Sequence, residues 1–93
     1  GTLFDFNPGE TITLGRDESR CQIILPETED KVSRAHCRVG FDGASNTYTV
    51  MDLGSKNGTL LADGTRLTPN VPTALQRGNV ILLGDDKNSF KLV

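Results

Sequence analysis

The sequence has little of what marks the specialised protein classes. Nowhere do about 18 apolar residues run together, so no segment is long enough to cross a bilayer as a helix, and the N-terminus lacks the basic-then-apolar pattern of a secretory signal. Only two cysteines occur, Cys21 and Cys37, without a Cys-x-x-Cys step or Cys/His spacing, which excludes a disulfide-rich scaffold and a zinc module. Their apolar neighbours mark them as buried free thiols, the state of a reducing intracellular compartment, with a Cys21–Cys37 disulfide as the alternative. Tryptophan is absent and aromatics make up 5% of the chain, so the basic residues have no stacking platform for bases. Charge of one sign is lacking too: ten Lys and Arg against twelve Asp and Glu give a net charge of −2 and a pI near 5.2. Such a field draws in neither duplex DNA nor anionic lipid. Neither a nucleic-acid partner nor membrane insertion is expected, and any bound anion has to be held by a local cluster of donors.

What is present fits one small domain. Ninety-three residues, 35% of them hydrophobic, must bury a core efficiently against a conformational cost near ~1.5 kcal/mol per ordered residue. The chain begins with Gly1 rather than Met, which reads as a processed chain or a fragment of a larger protein. Ten glycines and four prolines punctuate short β-branched runs, with no helical period longer than about two turns. Strands are expected over Thr2–Phe6, Thr11–Leu14, Gln22–Leu25, Ala35–Phe41, Thr47–Leu53, Thr59–Ala62, Thr65–Leu67, Val80–Leu83 and Ser89–Val93. The stretch Thr68–Thr73, with two prolines, is read as loose. About nine to eleven strands at spacings of roughly 8–12 residues is the pattern of an all-β sandwich, which displays function on its loops.

Three loops are unlike generic turns. They are Gly15-Arg16-Asp17, Ser33-Arg34-Ala35-His36 and Gly54-Ser55-Lys56-Asn57-Gly58-Thr59, which together hold two Arg, one Lys, hydroxyls and an amide. The ordered set Gly15-Arg16, Ser33-x-x-His36 and Asp52-Leu53-Gly54-Ser55-x-Asn57-Gly58-Thr59 resembles the forkhead-associated (FHA) domain pattern. Gly64, Arg77-Gly78-Asn79 and Leu83-Gly84 extend the resemblance over essentially the whole chain. It implies one FHA domain over residues 1–93, a β-sandwich of about eleven strands with loops at one end that bind a phosphothreonine peptide. Carried onto this chain, the phosphate-facing positions are Arg16, Ser33, Arg34 and Lys56, with Asn57 holding the ligand main chain. Lys31 lies in the loop that, in similar domains, reads the third residue after the phosphothreonine; a lysine there favours an acidic ligand residue, with weakening or reversal by the neighbouring Glu29 and Asp30 as the alternative.

The residue chemistry agrees. A phosphothreonine carries about −1.5 to −2 charge and three acceptor oxygens, which call for convergent donors and positive charge. Three charge-assisted bonds at ~1.5–3 kcal/mol each, less the costs of binding, point to affinity near the micromolar range. The threonine methyl adds only ~0.8 kcal/mol over phosphoserine by burial alone. Asp17 and Glu18 are read as solvated, and Ser55 as a turn residue bonding its own backbone. His36, with Ser33 and Asp52, invites a hydrolase reading, but no Gly-x-Ser-x-Gly elbow accompanies Ser33 and the resemblance makes His36 a buttress of the loops. Gly15, Gly54 and Gly58 are expected where the backbone adopts conformations closed to other residues. No enzyme activity, metal or cofactor is expected. The alternative function is a phosphate-independent scaffold, and self-association through a phosphorylated segment of the parent protein stays open.

Overall fold

Alternating β-branched and polar residues produce eight strands and no helix among residues 10–26, 28, 30–84 and 88–92, the residues that the computed structural model describes. The strands are β1 (Thr11–Gly15), β2 (Ile23–Ile24), β3 (Cys37–Asp42), β4 (Thr47–Asp52), β5 (Thr59–Leu61), β6 (Thr73–Gln76), β7 (Val80–Leu83) and β8 (Ser89–Lys91). Five form one sheet in the order β2-β1-β3-β4-β6, and three form a second in the order β5-β7-β8. Leu14, Cys37, Val39 and Val50 of the larger sheet share one buried cluster with Ile81 and Leu83 of the smaller. Period-2 alternation places these residues on the inner faces and leaves Arg38, Thr49 and Ala74 exposed to solvent.

Two hairpin turns follow from short polar side chains. In the β3–β4 turn the Ala44 N–H donates to the Asp42 carboxylate at 3.0 Å, and Asn46 takes a φ of 55°, which asparagine tolerates. Phe41 and Tyr48 pack behind it with ring centroids 4.9 Å apart, and the Arg77 guanidinium lies 5.7 Å from the Phe41 centroid. After β5 the Thr65 N–H donates to the Asp63 carboxylate at 2.9 Å.

The all-β sandwich agrees with the expectation, but the described residues form eight strands rather than about eleven. Thr2–Phe6 lies outside the described residues. Thr65–Leu67 is reduced to a single Leu60–Arg66 bridge, because the Asp63-Gly64 turn brings the chain back for only one ladder step. The strand expected from Ala35 starts at Cys37, although the His36 backbone still bonds to Leu14 and Leu53 on either side. Conversely, β6 forms where no strand was expected, beyond the prolines at 69 and 72 on a sheet edge.

Register gathers one set of connections at one end. Leu14 faces Cys37 and Cys37 faces Asp52 in the larger sheet, while Thr59 faces Leu83 in the smaller. The chain therefore leaves β1, enters β3, leaves β4, enters β5 and leaves β7 at the same end of the sandwich.

Candidate functional site

The first contact at this end is between the residues after β1 and the loop before β3. A Cβ on Gly15 would stand 2.1 Å from the Arg34 carbonyl oxygen, so only glycine lets the two backbones come this close. Close approach, not a positive φ, is thus the requirement at Gly15, whereas Gly58 does adopt a positive φ of 86°. The Arg16 and Asp17 N–H groups donate to the carbonyls of Ser33 and Arg34 at 3.3 and 3.0 Å. The Arg16 Nε donates to the Val32 carbonyl, which anchors the guanidinium against the same loop. The buried Cys21 thiol donates to the Arg34 carbonyl at 3.2 Å.

Asp52 organises the second loop. Its carboxylate accepts from the Ser55 hydroxyl and the Thr59 hydroxyl on one oxygen, and from the Gly54 and Ser55 N–H groups at 3.0 and 2.9 Å on the other. Burial opposes ionisation, but the bonds from Ser55 and Thr59 outweigh it and hold the carboxyl below its ordinary value of 3.8. Ser55 is thereby a buried hub rather than a simple turn residue, since its hydroxyl also accepts the Gly58 N–H at 3.0 Å. Sequence reasoning missed this role; the available signal was the Asp52-x-x-Ser55 spacing, which suits an aspartate closing a turn.

His36 ties the two loops together. Its Nδ1 accepts the Ser33 N–H at 3.0 Å, and its Nε2 donates to the Gly58 carbonyl at 2.7 Å. An amide can only donate and a carbonyl only accept, so the ring is the neutral Nε2–H tautomer. Burial pushes its pKa below the ordinary 6.5, against the raising effects of the Gly58 bond and Asp52. These bonds also dissolve the triad suggested by the sequence. The Ser33 hydroxyl accepts the Lys56 N–H at 3.1 Å, Asp52 serves Ser55 and Thr59, and both imidazole nitrogens are bound to backbone.

The same bonds assemble the proposed donors. Arg16 meets Ser33 through backbone, Ser33 meets Lys56, and the Asn57 side-chain amide donates to the Lys31 carbonyl at 3.1 Å. Lys31, Arg34 and Lys56 are exposed, and Arg16, Ser33 and Asn57 are half-buried. Asp17 is not merely solvated: it accepts from Ser19 and pairs with Arg20 at 3.2 Å, and the Ser19 bonds keep its carboxyl below the ordinary range. Glu18 is exposed.

Residues 12–84 match the FHA domain family. The chain is 36% identical over 85 residues to an FHA domain-containing protein of Arabidopsis thaliana, covering 91% of this chain and 21% of that protein. It thus spans about a fifth of that relative's length. Among solved structures it is similar to the FHA domain of the CT664 protein from Chlamydia trachomatis, with a TM-score of 0.74 and 28% identity over 87% of this chain and 74% of that one. It is also similar to the MEK1 FHA domain in complex with a phosphothreonine peptide of HOP1, with a TM-score of 0.67 and 31% identity over 82% of this chain and 74% of the other.

Proposed function

The chain belongs to the FHA domain family, and on that premise we propose that it is a phosphothreonine-peptide binding module whose phosphate contacts are Arg16, Ser33, Arg34 and Lys56. Asn57 holds the ligand main chain beside the phosphothreonine, and Lys31 faces the third residue after it and favours an acidic one there. The single observation that carries this reading is the Lys56 N–H bond to the Ser33 hydroxyl. It joins the two loops and occupies one lone pair, while the hydroxyl hydrogen has no acceptor among the described residues and is available to a phosphate oxygen. The anchored Arg16 guanidinium beside it supplies a planar, preorganised cation.

The partner is a phosphothreonine-containing protein, including a second copy of the parent protein if that parent carries the mark. Two buried free thiols suit an intracellular setting, cytoplasmic or, in a eukaryote, nuclear. Among the described residues no helix is long and apolar enough to cross a membrane. Catalysis is not part of this reading, because Ser33 and His36 are each bonded to backbone rather than to one another's reactive atoms.

Titration of matched phosphothreonine, phosphoserine and unmodified threonine peptides against wild type and Arg16→Ala tests the proposal. The phosphothreonine peptide is expected to bind near the micromolar range, and Arg16→Ala to weaken it at least about tenfold, the loss of one charge-assisted contact. Equal affinity for the three peptides would refute phosphate reading.

A further inference from the structure

One feature beside the loops is not absorbed by phosphate binding. An open groove of about 700 Å³ is lined by Arg16 and Arg34 together with Ile24, Leu25 and Pro26, with Glu18 and Asp17, the latter paired with Arg20, also on its wall. Ile24 is 53% exposed and Pro26 is exposed, although large aliphatic side chains are ordinarily buried. Only one other large hydrophobic, Val71, is comparably exposed among the described residues, and it lies on a different connection. Ser33, Lys56, Asn57 and Lys31 do not line the groove, so it extends from the arginines away from the Asn57–Lys31 contact.

We infer that this groove is a recognition subsite for an aliphatic residue of the phosphopeptide, one of the two residues that precede the phosphothreonine. The inference rests on the phosphothreonine reading above and adds the second flank of the ligand to it. Continuity fixes the occupant: the groove shares Arg16 and Arg34 with the phosphate site, so whatever chain holds the phosphate there must pass into it or turn away. Ile24 faces Gly15 in the β1–β2 pair, one residue from Arg16. An extended chain advancing ~3.3 Å per residue reaches Ile24 within about two residues of the phosphothreonine. With Lys31 and Asn57 on the other flank, those residues are the preceding ones. Ile24 and Pro26 offer an apolar surface to an aliphatic side chain. Glu18 has no ion-pair partner among the described residues, and it sets the charge preference by repelling an acidic residue in the groove and attracting a basic one.

The test uses phosphothreonine peptides identical from the phosphothreonine onward and carrying Leu, Ala or Asp at the two preceding positions. Their binding to wild type, Ile24→Ser and Glu18→Lys is followed by fluorescence anisotropy beside unphosphorylated controls. Wild type is expected to prefer Leu to Ala by about fivefold, the scale of burying part of one aliphatic side chain. Ile24→Ser should erase that preference while keeping the affinity of the Ala peptide, which doubles as the control for folding. Glu18→Lys should remove the penalty on the Asp peptide. Equal binding of Leu and Ala peptides by wild type, or a leucine preference that survives Ile24→Ser, would overturn the subsite and leave phosphate reading standing. Phosphopeptides that bind no better than their unphosphorylated controls would overturn both.

Discussion

At the scale of single residues, the site depends on groups whose protonation is matched to fixed backbone partners. The His36 ring must accept from an amide on one side and donate to a carbonyl on the other, which only its neutral form can do. In the unfolded chain the imidazole titrates near 6.5, while burial lowers its folded value. Between those values the unfolded state binds more protons, so the stability from this group is complete above about pH 6.5 and declines as pH falls through the folded value. Asp52, whose folded value also lies below the ordinary one, adds a second loss that begins near pH 3.8 and continues below it. Urea midpoints measured against pH without ligand should therefore fall in two acid steps. His36→Gln should be less stable than wild type at about pH 7.5 yet nearly flat down to about pH 5.5, where wild type declines. A wild-type midpoint unchanged over that interval would contradict the role given to the imidazole. His36 was readable as structural despite Ser33 and Asp52, because a single histidine on an alternating strand without a Gly-x-Ser-x-Gly elbow lacks a nucleophile's local geometry and the family resemblance makes it a buttress. The Asp52 hub was not, because its four donors include two backbone amides, which leave no trace in side-chain identity.

At the scale of elements, strands were legible where alternation was long and illegible where it was short. Val80–Leu83 stands where its apolar run predicts, and β3 and β4 keep the expected hairpin because six paired residues on each side fix one face inward. In β6 only Leu75 is buried, flanked by exposed Ala74 and Gln76, so its pattern is too brief to differ from the proline-rich turn before it. That strand is decided by pairing with β4 rather than by its own residues. The loops were legible as donors but not as a linked unit, since the bonds between them cross from 16 to 26 residues in sequence. The clearest element-level prediction concerns the end of β1. Gly15→Ala forces a methyl into the Arg34 carbonyl, which must pull the strand end from the following loop. The variant should lose at least about 2 kcal/mol of unfolding free energy in urea titration, and phosphopeptide binding should weaken beyond what that loss explains. A stability within about 0.5 kcal/mol of wild type would mean that the close approach is not required.

At the scale of the whole molecule, a net charge of −2 coexists with exposed Lys31, Arg34 and Lys56 gathered at one end of the sandwich. Local attraction without a global field should give phosphopeptide affinity that drops about threefold as salt rises from roughly 0.05 to 0.5 M, with no binding of an unmodified oligonucleotide at the lower salt. Anisotropy titrations of both ligands check this, and tight oligonucleotide binding would point to a more general polyanion surface. Of the connections at this end, finally, those around Arg16 and Ser33 join strands of the larger sheet, while the one with Lys56 and Asn57 crosses from β4 of the larger sheet to β5 of the smaller. On the phosphothreonine reading proposed above, the phosphate would sit over the seam of the sandwich, and the width of its cradle would be set by how the interior holds the sheets in place. A slip of about half an ångström, caused by trimming Val50 or Ile81 far from any ligand, is enough to loosen such a grip. Residence time on the partner is then adjustable from inside the protein, through residues that no peptide ever touches.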